Sequence, residues 1–237
     1  MTHRKTVGIL GGMGPAATVD LMQRVIAATP ASDDSDHIPM LVDNNPQVPS
    51  RIKALIEKTG PSPVPTLTAM AKRLADQGAD FLVMPCNTAH HYYAELAAAV
   101  DIPFIDMTQL VSQHIARAQP GAQRVGLLAS SALSQIELYE PNLRVQGLTP
   151  VYPPSAEQSA LMALIMAIKA NTGDALGYAS LQDCASALEA AGADCLLIAC
   201  TELSVVSQHL KTPLPVYDAA DLLAHEIVHQ ASGLLTS

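Results

Sequence analysis

The chain repeats itself, and that repeat limits the folds open to it more than any other feature. Val7-Gly8-Ile9-Leu10 matches Val125-Gly126-Leu127-Leu128. Gly78-Ala79-Asp80 matches Gly192-Ala193-Asp194, and the strand that follows runs out at Cys86 in one case and Cys200 in the other. Pro103-Phe104-Ile105-Asp106 matches Pro215-Val216-Tyr217-Asp218. The offsets are 118, 114 and 112 residues, so the register barely drifts. Three matches in one order indicate an internal duplication. The 237 residues are then enough for two small lobes of similar build.

Apolar runs alternate with helical patterns throughout. Strands are expected over 6–10, 39–43, 81–84 and 104–105 in the first half, and over 125–128, 145–151, 195–198 and 216–217 in the second. Helices are expected from Pro15 to about 28, over 64–77, and from the Cys86 loop to about 98. In the second half they are expected from Ser131 to about 140 and over 156–170, 174–191 and 219–233. The segment 44–63, rich in Asn, Pro and Ser, carries Arg51 and a short helical piece. Strand and helix in alternation indicate βαβ units and parallel sheets, an α/β fold. The expected division is residues 1–104 plus 218–237, with the final helix packing back on the first lobe, and residues 105–217 as the second lobe.

About 49% of the residues are hydrophobic but only 3% are aromatic, and Trp is absent, so the core has to be aliphatic. Thirteen basic against 22 acidic residues give a net charge of -9 without a basic cluster, which argues against a nucleic-acid partner. The first apolar run, Val7 to Leu10, is too short for a signal-peptide core and reads as a strand. No stretch reaches the ~20 apolar residues that span a bilayer. The four cysteines, Cys86, Cys184, Cys195 and Cys200, read as reduced thiols of a cytoplasmic-type protein.

Cys86 and Cys200 are the chemically interesting pair. Open parallel sheets build their sites beyond the C-terminal strand ends. Each half therefore brings one cysteine to a site-forming edge. If the lobes face each other about a pseudo-twofold axis, the two sulfurs oppose one another across a cleft. Each cysteine precedes a helix, where Thr88 and Thr201 are expected to cap the first-turn amides. A helix N-terminus favours thiolate by roughly 0.3–1 kcal/mol when exposed and up to ~2 kcal/mol when partly buried. That is about one pKa unit, at ~1.4 kcal/mol per unit. Cys184, mid-helix, and Cys195, inside a strand, read as inert core thiols.

Gly11-Gly12-Met13-Gly14-Pro15 is not a dinucleotide loop. Its glycines have the wrong spacing, Pro15 removes an amide donor, and no P-loop Lys-Ser/Thr pair follows. The glycines are expected to let the loop pass close to a substrate. His90 and His91 have no partner at metal-ligand spacing, and a zinc site from Cys86, His90 and Cys200 is not favoured.

Together these pieces resemble the aspartate/glutamate racemase family, most closely its aspartate racemases. The matching segments are Gly11–Pro15 with Thr18 and Asp43-Asn44-Asn45-Pro46-Gln47-Val48-Pro49 with Arg51. They continue with Met84-Pro85-Cys86-Asn87-Thr88-Ala89-His90 and Cys200-Thr201-Glu202. The likeness covers almost the whole chain. It implies two Rossmann-like lobes, no pyridoxal phosphate or other cofactor, no metal, and often a homodimer. It also implies a small dicarboxylic amino acid as ligand, with no nucleic-acid or membrane partner.

The resemblance further implies a two-base reaction. One thiolate removes the Cα proton and the opposite thiol returns one to the other face, interconverting L- and D-aspartate, or glutamate. Reacting atoms ~3–3.5 Å apart put the sulfurs roughly 7 Å from each other around the carbon. Cys86 and Cys200 would be catalytic. Met13, Arg51, Asn87, Thr88, Ser130, Ser131, Lys169 and Thr201 would bind substrate. Asn87, Thr88 and Thr201 would take the α-carboxylate, and Arg51 and Lys169 the side-chain carboxylate. Asp43, Asn45 and Glu202 would be supporting. The alternatives are an isomerase or decarboxylase of a dicarboxylic acid such as maleate or a malonate, or a non-catalytic acid-binding protein of the same fold. The chain departs from the pattern at Ala199, Ser50, Ala132 and Ile165, where relatives carry Gly, Asp, a hydroxyl residue and, in a near relative, Tyr. These changes bear on substrate more than on the bases.

Overall fold

A computed structural model describes residues 4–172 and 175–233. The chain divides into two compact units, Met1–Met107 with Ala220–Ser237, and Thr108–Ala219. In chain order the first unit holds β1 (Val7–Gly11), α1 (Pro15–Ala28), β2 (Met40–Asn44) and α2 (Arg51–Leu55). It continues with α3 (Val64–Asp76), β3 (Phe81–Val83), a 3-10 turn (Thr88–Tyr92) and α4 (Tyr93–Ala97). Helix α5 (Met107–Ala118) leads into the second unit, followed by β4 (Arg124–Leu128), α6 (Ser131–Gln135), α7 (Glu140–Val145) and β5 (Thr149–Val151). Then come α8 (Ser155–Lys169), α9 (Ala175–Ala190), β6 (Cys195–Ile198), α10 (Thr201–Ser204), β7 (Val216–Asp218) and α11 (Ala219–Ser232).

Both sheets are parallel, and they have the same plan. The first runs β2-β1-β3, with Phe104 bridging to Leu82 on the outer side. The second runs β5-β4-β6-β7. Val7 pairs with Phe81 and Val125 with Cys195, so the repeated residues occupy equivalent places.

The duplication extends to individual atoms. Asp80 accepts the Thr6 amide at 2.7 Å, and Asp194 accepts the Arg124 amide at 2.8 Å. Each aspartate amide returns a bond to the carbonyl of that same residue, so the carboxylate clips the start of the central strand to the start of its neighbour. A Cβ on Gly8 would lie 2.6 Å from Leu82 Cδ2 and close on Ala79 and Leu74. On Gly126 it would lie 2.7 Å from Leu196 Cδ2 and close on Ala193 and Leu188. Glycine is required at both points because a helix and a strand press on the central strand from the same side.

The cores are aliphatic. Ile9, Leu10, Leu21, Leu67, Leu74 and Leu82 are fully or almost fully buried in the first unit. Leu161, Leu164, Ile165, Leu181, Leu188 and Leu196 form the second unit's cluster.

Several boundaries differ from the sequence expectation. Helix α5 was not foreseen, although it stands in the repeat where the final helix stands in the second half. The helix expected from Ser131 to about 140 stops at Gln135, because Glu137 turns to φ 48°. A separate helix α7 then starts at Glu140, with Pro141 in its first turn, and takes the beginning of the segment expected as strand 145–151. Phe104 makes a single bridge instead of a strand. The start of the helix expected at 174 lies outside the described residues. Among the described residues no helix is long and apolar enough to cross a membrane.

Candidate active site

In the first unit, β3 ends at Val83 and the chain passes through Met84 and Pro85 to Cys86, which is buried. An α-helix starting here would send the His90 amide to the Cys86 carbonyl. Instead the His90 ring takes that carbonyl, with Nδ1 donating to the Cys86 oxygen at 2.9 Å. The His90 amide drops back to Asn87 O, also at 2.9 Å. The result is a 3-10 turn where a longer helix was expected. Burial is the main influence on His90 and pushes the imidazole down, leaving it neutral with the proton on Nδ1. His90 was not foreseen as a site residue. Its spacing of four from Cys86 was the available signal.

The expected threonine caps are not formed. Asn87 holds the N-cap position of the 3-10 turn and Cys200 that of α10, and neither caps with its side chain. Thr88 and Thr201 are each one residue too far along the chain to cap, because the helical turns begin on them. Thr201 and Asn87 are buried.

The glycine loop folds against its own unit. The Thr18 hydroxyl accepts from the Gly12 amide at 2.9 Å and donates to the Gly14 carbonyl at 3.2 Å. Gly12, at φ 92°, lies so close to Asn45 that a Cβ would come 2.2 Å from its carbonyl oxygen. The glycine is therefore needed for this internal approach. Asn45 uses its side-chain oxygen to accept the Gln47 amide at 3.0 Å. Arg51 opens α2 behind the Ser50 cap, whose hydroxyl accepts from Lys53 N at 3.3 Å. Its guanidinium donates to the carbonyls of Val48 (3.3 Å), Pro49 (3.1 Å) and Met13 (3.5 Å), tying the glycine loop to the Pro-rich segment. Met13 is buried. Asp43 pairs with Arg73 at 2.6 Å beside a surface pocket of about 270 Å³, so its observed partner is α3 and not one of the other candidate residues.

In the second unit, Cys200 follows β6 by way of Ala199. Its thiol donates to Glu202 Oε2 at 3.2 Å, and Lys169 Nζ, from the last turn of α8, lies 2.5 Å from Glu202 Oε1. Burial, with the Glu202 charge and hydrogen bond next, raises the Cys200 thiol well above its ordinary range, while the Lys169 cation pulls it down. The expected modest shift of this cysteine toward thiolate by a helix end is therefore corrected: its surroundings favour the thiol. The α10 segment has only 4 residues and a carboxylate in its first turn, so its dipole is outweighed. Lys169, expected on a substrate, is placed on Glu202. Ser204, one turn on, donates to Asp218 at 2.6 Å.

Ser130 holds the N-cap position of α6 without capping through its side chain, and its buried hydroxyl oxygen has no hydrogen-bond partner among the described residues. The Ser131 amide donates to the Met162 sulfur at 3.3 Å. Of the departures in this unit, Ala132, Ile165 and Ala199 are all buried, and Ile165 packs in the apolar cluster that includes Cys200.

All four cysteines are free thiols. Burial pushes Cys184 up to about 12 and Cys195 up to about 11, as befits inert core thiols. Among the described residues, no group of three or more His, Cys, Asp or Glu side chains could hold a metal ion.

A model of the Asp/Glu/Hydantoin racemase family matches residues 10–227 of this chain. The chain belongs to that family. Within this racemase family it is 29% identical over 226 residues to the broad specificity amino-acid racemase RacX of Bacillus subtilis, covering 94% of this chain and 96% of that protein. Among solved structures, it is similar to the Picrophilus torridus aspartate racemase. That match has a TM-score of 0.85 and 30% identity, covering 96% of this chain and 94% of the other. A glutamate racemase from Bacillus anthracis shares the fold at TM-score 0.65 and 16% identity, covering 99% of this chain and 85% of the other. The chain is thus an enzyme of the amino-acid racemase type with the two-unit α/β fold of that family.

Proposed function

We propose that this racemase interconverts L- and D-aspartate, with Cys86 and Cys200 serving as proton carriers on opposite faces of Cα. One observation supports the reading above others: Cys86 follows β3 and Cys200 follows β6, the equivalent strands of two sheets with one plan. Inversion at carbon needs two carriers, since a single fixed base returns its proton to the face it came from. In one direction the Cys86 thiolate takes the Cα proton while the Cys200 thiol gives up its own. In the other direction the roles exchange.

Charge that develops in the α-carboxylate needs donors aimed at it in the transition state. Asn87, Thr88, Thr201, Ser130 and Ser131 are the proposed donors. The forked guanidinium of Arg51 suits a side-chain carboxylate. The likeness to a broad specificity amino-acid racemase favours a second reading, in which other amino acids are turned over as well. A homodimer and a cytoplasmic setting belong to the same proposal.

The test is to incubate the protein with L-aspartate in heavy water without any added cofactor. D-aspartate carrying deuterium at Cα is the expected product. A covalent adduct on one cysteine would favour the isomerase or decarboxylase alternative. Binding without exchange would favour an acid-binding protein.

A further inference from the structure

The two cysteines have unlike surroundings, and the difference lies in the second unit. The Cys200 thiol, Glu202 and Lys169 form a continuous chain, S–H to Oε2 at 3.2 Å and Oε1 to Nζ at 2.5 Å. Cys200 and Glu202 are buried, while Lys169 reaches them from an exposed helix end, its side chain 37% accessible. We infer that Lys169 is a positioning residue that acts on Cys200 through Glu202, holding the carboxylate and offsetting its charge so that the neighbouring thiol can give up its proton. This deepens the two-base reading of the site and rests on it for the role of Cys200.

Charge bookkeeping explains why such a chain is useful. With the proton on sulfur, the set holds one ammonium, one carboxylate and one thiol, and is neutral overall. When the S–H bond breaks, with its proton passing to the Cα carbanion of the proposed reaction or to solvent, the set holds one ammonium, one carboxylate and one thiolate, a single net negative charge. Without the ammonium the same step would leave a thiolate beside an uncompensated carboxylate, two like charges in an apolar pocket where an isolated ion is already heavily penalised.

Lys169 also fixes geometry. It grips Oε1, which leaves Oε2 facing the sulfur. The other titratable groups around this set are differently engaged. Asp218 on β7 is held by the Ser204 hydroxyl, the Cys184 thiol in the same apolar cluster bonds the Glu157 carbonyl, and Tyr178 packs at the cluster's edge against the His209 ring.

The experiment reads the Cys200 thiol in the full-length protein without substrate. Iodoacetamide labelling of the Cys200 peptide is followed by mass spectrometry across a pH series. Lys169→Met should slow labelling at fixed pH by about tenfold, about one unit in the thiol's midpoint. Lys169→Arg should restore most of the rate. Glu202→Gln should speed labelling. In the Glu202→Gln background, Lys169→Met should have little further effect, because the link has already been cut.

Equal profiles for wild type and Lys169→Met would overturn the inference, as would a Lys169 effect that survives intact in the Glu202→Gln background. Circular dichroism melts on the same samples identify any variant that fails to fold, and Lys169→Gln, which also removes the cation, then carries the comparison against wild type. Because no substrate is present, failure here leaves the racemase reading standing. Failure of the heavy-water exchange would leave this thiol coupling measurable.

Discussion

The His90 ring holds the Cys86 carbonyl, its Nδ1 lying 2.9 Å from the oxygen. A side chain thereby replaces the backbone bond that would have made the segment an α-helix, and the cysteine is held on a 3-10 turn. His90→Ala should leave that buried carbonyl without its partner, at a cost of about 1–3 kcal/mol. The expected result is a lower Tm together with a loss of turnover, since the turn carries Cys86. An unchanged Tm with full turnover would show that the ring is dispensable.

The same ring makes stability depend on pH. Burial holds the folded-state pKa of His90 below its unfolded value of 6.5, so the unfolded chain binds more protons in acid. This contribution is fully present above 6.5 and is lost as pH falls from 6.5 through the lowered folded value, with a slope of up to ~1.4 kcal/mol per unit. Urea melts from pH 7.5 to 5 should show that slope in the wild type and a shallower one in His90→Gln.

Cys86→Ala and Cys200→Ala should each nearly abolish inversion, because each removes the proton carrier of one face. Cys184→Ala and Cys195→Ala should leave turnover close to wild type. Their thiols, pushed up to about 12 and about 11, stay protonated at neutral pH. Polarimetry on the four variants separates the pairs, and full activity in Cys86→Ala or Cys200→Ala would remove that residue from the mechanism.

Arg51→Ala should weaken turnover of dicarboxylic amino acids far more than that of alanine. It also releases the Met13 carbonyl, so the glycine loop should loosen and KM should rise. Arg51→Lys should rescue little, since one ammonium cannot span the carbonyls of Val48, Pro49 and Met13 that the fork reaches. An unchanged preference for aspartate over alanine would remove the arginine from substrate selection.

The duplicated glycines offer a matched test of the fold. Gly8→Ala and Gly126→Ala should each destabilise by about 1–3 kcal/mol through overpacking against Leu82 and Leu196. Chemical denaturation should show costs of similar size, and Leu196→Ala should relieve part of the Gly126→Ala penalty. If either substitution were neutral, the atomic equivalence of the two units would not extend to energetics.

The repeat made the α/β class, the two halves of similar build and the placement of Cys86 and Cys200 after equivalent strands legible in the amino-acid sequence. These depend on local periodicity and on matching segments, which are properties of the chain read along its length. Boundaries were less legible where competing local bonds decide them. Glu137 breaks a helix by its own backbone angle, and His90 converts a helix start to a 3-10 turn by taking a carbonyl. The character of the site was least legible. No spacing rule says that the Cys200 thiol is held by Glu202, that Lys169 belongs to that carboxylate, that Asp43 pairs with Arg73, or that Gly12 presses on Asn45. Each of these joins groups whose distance depends on how strands and helices stack, and for Glu202 burial also raises the energy of an unpaired charge and so selects a partner. Sequence determined which side chains are available at the strand ends. Only tertiary packing decided which of them touch, and therefore which cysteine rests as a hydrogen-bonded thiol.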